Sequence, residues 1–598
     1  MELKERKDMD KAYMWDLTTL YKDDNAWREA LGGVDEKITA VSAFQGKLTD
    51  ADHVLAYFKA DTDLSLLLSD LFCYASLRRS EDTRAADAQA MYAQIYGKYV
   101  QAVSATAFAE PEILALPEET LKSLTDDLKL KDYRYLLVKL LRDKPHTLTA
   151  DEEKLLASFG EVFSAPQQIA ENLQDADLLF DPAKDSDGKE HEVTGPGYIP
   201  LQMSSDRTLR ENSFRSYYKS YREHINTFAA TYSGAVKCAA AEAAARHYGS
   251  SREMSQAGEH IPASVYDNLI ETVRAHMPAM YRYVRLRKEM LHLDELHYYD
   301  LYAPLISGNE KRYTYEEAQQ MVLDAVAPLG ETYGSTVRRA FRDRWIDVYP
   351  NKGKSGGAYS SGTYDSNPFI LTNFSGTLDA VSTIAHEMGH SMHTYLANHT
   401  QPPYYAEYTL FVAEVASTVN ENLLIENLLS KTTDPLERLR LLNQYLEAFK
   451  GTVYRQTMFA EFEMKAHRMA ENGEALTPAA LNALYKGLTA DYFGPDLDLD
   501  DEVQYEWARI PHFYRPFYVY KYATGYSTAV ALSEGIRTEG RPAVDRYLGF
   551  LSMGGSRDPL DELKYAGVDL TTPAPVDTAL RKFEAVVAEA EELAKKIR

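Results

Sequence analysis

The chain has 598 residues, 45% of them apolar and 26% charged, with a formal net charge of −25. That length outgrows a single hydrophobic core, so at least two domains are expected, and the composition excludes large-scale disorder. The charge excludes a nucleic-acid backbone as partner, because no basic field exists to displace counterions.

The N-terminal run Met1-Glu2-Leu3-Lys4-Glu5-Arg6-Lys7-Asp8 has no apolar stretch of the kind a secretory signal needs. No apolar run is long enough to cross a bilayer. The two cysteines, Cys73 and Cys238, supply no disulfide framework, and Cys238, in an Ala-rich stretch, reads as a small core residue. A cytoplasmic protein without a membrane partner is expected. Residues 52–78 and 85–108 carry apolar side chains at helical spacing. Thr149, followed three residues later by Glu152, marks a capped helix start.

From Asp175 to Pro200 turn residues accumulate, in Asp181-Pro182, Asp185-Ser186-Asp187-Gly188 and Gly195-Pro196-Gly197. The runs Leu178-Leu179-Phe180 and His191-Glu192-Val193-Thr194 predict a hairpin around that turn. A domain boundary is placed here, separating an N-terminal helical region, 1–200, from a second domain, 201–598. The alternative is a long surface loop. Helical patterning resumes from Ser205 or Asp206, either of which fits as a cap, to about Tyr248, and a further long helix is predicted over 263–291. Residues 347–375 differ: Gly353, Gly356, Gly357 and Gly362 precede Pro368-Phe369-Ile370-Leu371-Thr372-Asn373-Phe374, which predicts a Gly-rich loop and then a short strand. The loop lacks the Gly-Lys-Ser/Thr ending of a phosphate-binding loop.

The next segment carries the chemistry. In His386-Glu387-Met388-Gly389-His390 the two histidines are four residues apart and would project from one helical face. The flanking Val381, Ile384, Ala385, Met388 and Met392 are apolar and predict a buried helix rather than a loop. A zinc peptidase needs neutral imidazoles, a carboxylate base and an open coordination position, and Glu387 is placed to be that base. A chance match to this pattern in so long a chain has a probability of roughly a few per cent, and two surface histidines are the bland alternative. A third histidine six residues beyond His390 is excluded, since Leu396 stands there, so the third ligand falls to a carboxylate on a following helix. Glu407, Glu414, Glu421 and Glu426 are candidates. Glu414 stands out amid Phe411, Val412, Ala413, Val415 and Ala416, where an unpaired carboxylate would be costly. A salt bridge to Arg or Lys is its alternative role. Glu421, on the same face, could support a ligand from behind. Asp379 could do so too, or cap the helix. His393 reads as a hydrogen-bonded core histidine. Further on, the stretch from Ile510 to Tyr522 is dense in hydrogen-bond donors, among them His512, Tyr514, Tyr518 and Tyr522, and an aromatic core is the competing reading.

Taken together these segments resemble peptidase family M3, of the oligoendopeptidase F type. The likeness rests on Trp15-Asp16-Leu17, Gly357-Ala358-Tyr359-Ser360, His386-Glu387-Met388-Gly389-His390-Ser391, Glu414-Val415-Ala416-Ser417-Thr418, Pro511-His512-Phe513-Tyr514 with Tyr518, Tyr520 and Tyr522, and Met553-Gly554-Gly555-Ser556. The resemblance implies a mainly α fold, a two-lobed helical shell around a deep channel with a small β element beside the zinc helix, and a catalytic domain over 201–598. It implies one Zn2+ held by His386, His390 and Glu414, with Glu387 as general base and proton shuttle. It implies His512 with Tyr518 or Tyr522 as donors to the transition state, and Gly356, Gly357, Ala358 and Tyr359 along the substrate backbone. The implied reaction is hydrolysis of internal bonds in short unstructured peptides by zinc-activated water. Two other classes stay open: an exopeptidase on the same shell, with Arg515 or Lys521 binding a free terminus, and a peptide-binding protein without turnover. The oligomeric state is open, and a monomer is compatible with the sequence.

Overall fold

The computed structural model describes residues 3–306 and 311–597, so Met1 and Glu2 of the N-terminal run lie outside the described residues. Helices hold 72% of the residues and strands 3%, which places the chain in the mainly α class. Among the described residues no helix is long and apolar enough to cross a membrane. The chain forms two compact units, each built from three segments. The first comprises Met1–Ala150, Glu310–Asn427 and Leu532–Gly567; the second comprises Asp151–Asn309, Leu428–Ala531 and Val568–Arg598. The units therefore interleave along the sequence rather than following the 1–200 and 201–598 division.

In the first unit, the helices Ala51–Glu81 and Ala86–Thr106 match the predicted periodic runs to within a few residues and pack on each other. Asp50 caps the first by accepting from the backbone N–H groups of Asp52 and His53. Their shared core includes Trp15, Trp27, Leu64 and Leu71, and it extends to Phe369 and Leu371. Those last two belong to a three-stranded sheet not foreseen at this size. It consists of Ile346–Asp347, Tyr359–Ser361 and Phe369–Leu371, with the last strand in the middle, parallel to the first and antiparallel to the second. The Gly-rich loop expected before the predicted strand thus supplies an edge strand of its own, Tyr359–Ser361. This sheet packs against the Leu378–Thr400 helix, so a small β element does lie beside the helix with the His-Glu-x-x-His pattern.

A buried ionic network fixes the sheet to the N-terminal segment. Asp347 and Lys354, both essentially inaccessible, pair at 2.7 Å, and Lys354 Nζ also donates to the carbonyls of Tyr349 and Thr372. Arg6 reaches both Asp347 and Glu81, while the Trp15 indole N–H donates to Glu81 at 2.8 Å. Buried charges persist only when paired in this way. The network explains the Trp15-Asp16-Leu17 motif as an anchor, with Asp16 paired to Arg344 at 2.6 Å.

In the second unit the predicted hairpin exists, with a shift. The pairing strands are Ala183–Lys184 and Glu190–His191, not Leu178–Phe180 and 191–194. The physical reason is Asp185, whose carboxylate accepts from the backbone N–H groups of Asp187 and Lys189 and closes the turn so tightly that pairing starts beside it. Asp206 does cap the Arg207–Glu223 helix, by accepting from Leu209 N–H. The long helix expected over 263–291 is two, Ala263–Ala275 and Met277–Met290. Pro278, which lacks an N–H, cannot continue a helix but fits its first turn. Cys238 is partly exposed rather than a core residue, Cys73 is buried, and both are free thiols. Glu506 is fully buried, where Arg455, Arg509 and the hydroxyls of Tyr298 and Tyr485 surround it at 2.5–2.8 Å.

Candidate functional site

The Leu378–Thr400 helix starts at Thr377, whose hydroxyl accepts from Ala380 N–H at 3.1 Å. Asp379 is exposed and does not take the cap. Val381, Ile384, Ala385, Met388 and Met392 are wholly buried, which turns His386 and His390 toward the other face. Their side chains are 27% and 17% exposed, and their Nε2 atoms lie 3.2 Å apart.

What brings a carboxylate to them is a close approach of the Leu410–Lys431 helix. A Cβ on Gly389 would sit 2.5 Å from Ala416 O and from Ser417 Cα, so the two backbones touch there and only glycine fits. Buried Asn420 holds the contact, donating to Ala385 O at 3.0 Å and accepting from the Tyr333 hydroxyl at 3.0 Å. Glu414 Oε2 then lies 3.4 Å from both Nε2 atoms. Zinc bonds of about 2.0–2.1 Å at tetrahedral angles require ligand atoms about 3.3–3.4 Å apart. The three separations, 3.2, 3.4 and 3.4 Å, therefore match one face of such a tetrahedron and leave its fourth corner open. Among the described residues this is the one group of three or more His, Cys, Asp or Glu side chains placed to hold a metal ion. Donor set and spacing both fit zinc. Glu414 is not the buried carboxylate that its apolar neighbours suggest. Its side chain is 44% exposed, and the apolar neighbours face away from it.

The electrostatics favour a cation at this point. Burial opposes charge on His386, but hydrogen bonds to Glu414 and Glu421 override it and push its pKa up to about 10. The same hydrogen bonds from His386 and His390 hold the Glu414 carboxyl far below the usual range. Glu421 stands behind His386, with Oε1 3.4 Å from Nδ1, which orients the ring through its other nitrogen. Burial pushes the Glu387 carboxyl up, although the rings of His386 and His390 oppose this. His393 is buried and held neutral by burial, with a pKa of about 3. Its ring stacks on Tyr408 at 3.6 Å, and its Nδ1 makes no hydrogen bond.

Gly356 and Gly357 are exposed, and Gly357 adopts a positive φ of 74°. Asn373 pins this loop by donating to the carbonyls of Ser355 and Gly357 at 3.0 and 2.9 Å. Ala358 leads into the edge strand, where Tyr359 lies, and Ser360 Oγ shares a 2.8 Å hydrogen bond with Ser391 Oγ of the histidine-bearing helix. The Met553-Gly554-Gly555-Ser556 motif acts on the same unit. Side chains at Gly554 and Gly555 would strike the carbonyls of Tyr405 and Glu407, at 2.0 and 2.5 Å, so both glycines let the segment between the two helices be gripped.

His512, Tyr518 and Tyr522 belong to the second unit, where they form one cluster. The rings of His512 and Tyr518 are parallel within 4° at 6.0 Å, Tyr522 stands edge-on to both, and the two tyrosine hydroxyls are 3.4 Å apart. Burial, helped by Arg515, lowers the His512 pKa, so the ring is neutral and has an N–H to donate. Tyr514 does not join. Its hydroxyl bonds Thr231 at 2.8 Å, because the following helix begins only at Tyr520. Lys521 is engaged by Glu259, and Arg515 is exposed. Sequence reasoning passed over Asn420, Tyr333 and Gly389 as organisers. A buried amide in an otherwise apolar helical face was the available signal for the first.

Comparison with known proteins agrees in kind. The model of peptidase family M3 matches residues 201–582, and the oligopeptidase F N-terminal model matches 112–180. The chain is 43% identical over 599 residues to oligopeptidase PepF of Bacillus subtilis (strain 168), covering 100% of this chain and 89% of that one. It is 40% identical to group B oligopeptidase PepB of Streptococcus agalactiae serotype III (strain NEM316), covering 99% and 98%. The crystal structure of oligoendopeptidase-F from Enterococcus faecium superimposes with a TM-score of 0.74 at 34% identity, covering 96% and 99%.

Proposed function

This chain belongs to peptidase family M3, and from that premise we propose that it is a zinc-dependent oligoendopeptidase, a metallopeptidase cutting internal bonds of short unstructured peptides. The observation that carries the proposal is the convergence of His386, His390 and Glu414 at tetrahedral spacing. These three residues would hold one Zn2+. When bound, zinc supplies Lewis acidity, lowering the pKa of water and polarising a carbonyl.

The rest of the chemistry belongs to side chains. Glu387 takes the proton from the attacking water and returns it to the leaving amine nitrogen. The Tyr359–Ser361 edge strand, with Gly356, Gly357 and Ala358 leading into it, pairs with the extended substrate backbone, the way an exposed sheet edge accepts a peptide. His512 and Tyr518, with Tyr522 beside it, donate hydrogen bonds to the carbonyl oxygen as its negative charge grows; neutral donors suit that task because they cost no desolvated charge. The free thiols of Cys73 and Cys238 fit a cytoplasmic setting. The engagement of Lys521 by Glu259 weighs against an exopeptidase that would use it to bind a free terminus.

The test is product mapping by mass spectrometry on a pool of short peptides, half with both termini blocked. Blocked peptides are expected to be cut internally, chelator to stop this, and added zinc to restore it. Cleavage confined to free-ended peptides would replace the reading with an exopeptidase. Retention of peptides without cleavage, with zinc content confirmed, would leave a binding protein.

A further inference from the structure

Between His512 and Tyr518 the chain makes a turn that bulky residues avoid. Phe517 has φ of +56°, a left-handed conformation that glycine adopts freely and a phenylalanine does not. Such a conformation persists only where the surroundings impose it, and here the imposing atoms are identifiable. The peptide plane joining Pro516 to Phe517 is held at both ends. Its carbonyl accepts from Ser255 Oγ at 2.9 Å, and its N–H donates to Glu463 Oε1 at 2.7 Å. The Phe517 side chain is buried between Tyr266 and His467, with ring centroids at 5.8 and 4.7 Å. His467 is itself fixed by a 2.8 Å hydrogen bond to Ser251 Oγ.

Glu463 is an expensive way to bind one N–H. It is fully buried, and its Oε2 makes no hydrogen bond. Burial pushes its carboxyl well up, against the pull of the Phe517 N–H, so the group is a neutral acid. A buried acid with half its capacity unused costs stability wherever it stands. A leucine would fill the space better, but it would leave the Phe517 N–H without an acceptor and the turn free to relax.

We propose that Glu463 and Ser255 are positioning residues that clamp the Pro516–Phe517 peptide plane and so set Tyr518 parallel to His512 for hydrogen-bond donation to the substrate. Neither residue touches substrate in this scheme. The clamp rests on the role given above to His512 and Tyr518, and the experiment separates the two. In the zinc-loaded full-length enzyme, kcat and KM on a blocked quenched peptide are measured for Glu463→Leu, Glu463→Gln, Ser255→Ala and Tyr518→Phe, with zinc content and thermal melting checked in each. Glu463→Leu is expected to lower kcat about 10- to 100-fold with little change in KM, the scale of loss from a small misplacement. Glu463→Gln, which keeps the acceptor oxygen, is expected to restore most of kcat. In the Tyr518→Phe background Glu463→Leu is expected to cost little more, since both act through one group. If Glu463→Leu fails to fold, Ser255→Ala releases the other end of the same plane and is expected to lower kcat severalfold. Wild-type kcat in a folded Glu463→Leu or in Ser255→Ala, with Tyr518→Phe impaired, overturns the clamp and leaves the donor role standing. Wild-type kcat in Tyr518→Phe overturns the donor role and the clamp with it. Equal loss in the leucine and glutamine variants also overturns the clamp, because packing alone would then explain both.

Discussion

The two clusters achieve order by opposite means. In the first unit His386, His390, Glu414, Glu387 and Glu421 gather titratable groups, and close contacts of rings with carboxylates place them. In the second, ring contacts and a strained turn settle the geometry of His512, Tyr518 and Tyr522. Helical periodicity produces the His386–His390 pair of the first arrangement, since residues four apart on one helix must share a face, and the close approach at Gly389 brings Glu414 to it. Nothing so local produces the second. Two of the three candidate metal ligands are written in a five-residue pattern. A site that must offer uncharged donors depends on a backbone bend imposed from other helices.

That contrast predicts unequal sensitivities. The largest effect should come from the charged side. Glu387→Gln removes the proton carrier and is expected to lower kcat by about 10³–10⁴ or more, with zinc content unchanged; steady-state kinetics beside metal analysis checks it, and substantial turnover with zinc bound would break the charged half of the comparison. On the neutral side, Tyr518→Phe and His512→Phe each delete one donor, for about a 10²–10³-fold loss in kcat. If Tyr522→Phe is the more damaging of the two tyrosine changes, the donor is Tyr522. A smaller effect is expected behind the metal. Glu421→Gln should weaken zinc affinity about 10- to 100-fold, measured by competition with a chromophoric chelator, while excess zinc restores activity.

The smallest effect is silent at neutral pH. Burial works against a charged Glu506, but Arg455 and Arg509 hold its pKa at about 2, below its unfolded value. A depressed carboxylate contributes stability that is complete above the unfolded pKa and is lost as pH falls through the folded one. Thermal melts of wild type should therefore fall steeply between about pH 4.5 and 2. A flat profile over that range would remove Glu506 as an acid-labile pin of the second unit.

Much of this was readable in the amino-acid sequence, for identifiable reasons. The helices at 51–81 and 86–106 show in apolar spacing, and the meeting of His386 with His390 in their four-residue separation. The apolar neighbours of Glu414 point to the right residue but suggest burial, whereas a half-exposed carboxylate reaches the rings because Gly389 lets two helices touch. Pro278 dividing the helix predicted over 263–291, and Asp185 drawing the hairpin register inward, are local effects visible once the turn chemistry is weighed. The interleaving of the two units is not local at all. It arises from pairings such as Arg6 with Asp347, 341 residues apart, for which no pattern exists in a single stretch of chain. The left-handed Phe517 is equally hidden, because its cause sits on Glu463 and Ser255.

Gly554 and Gly555, pressed against the carbonyls of Tyr405 and Glu407, also bear on biosynthesis. The ribosome makes the whole His386–His390 pattern and the Glu414 helix before it makes residues 532–567, yet the compact unit that carries them includes that late segment. Contacts so distant in sequence form slowly and only after the chain between them exists. The unit that carries His386, His390 and Glu414 is therefore complete only once that late segment has been made.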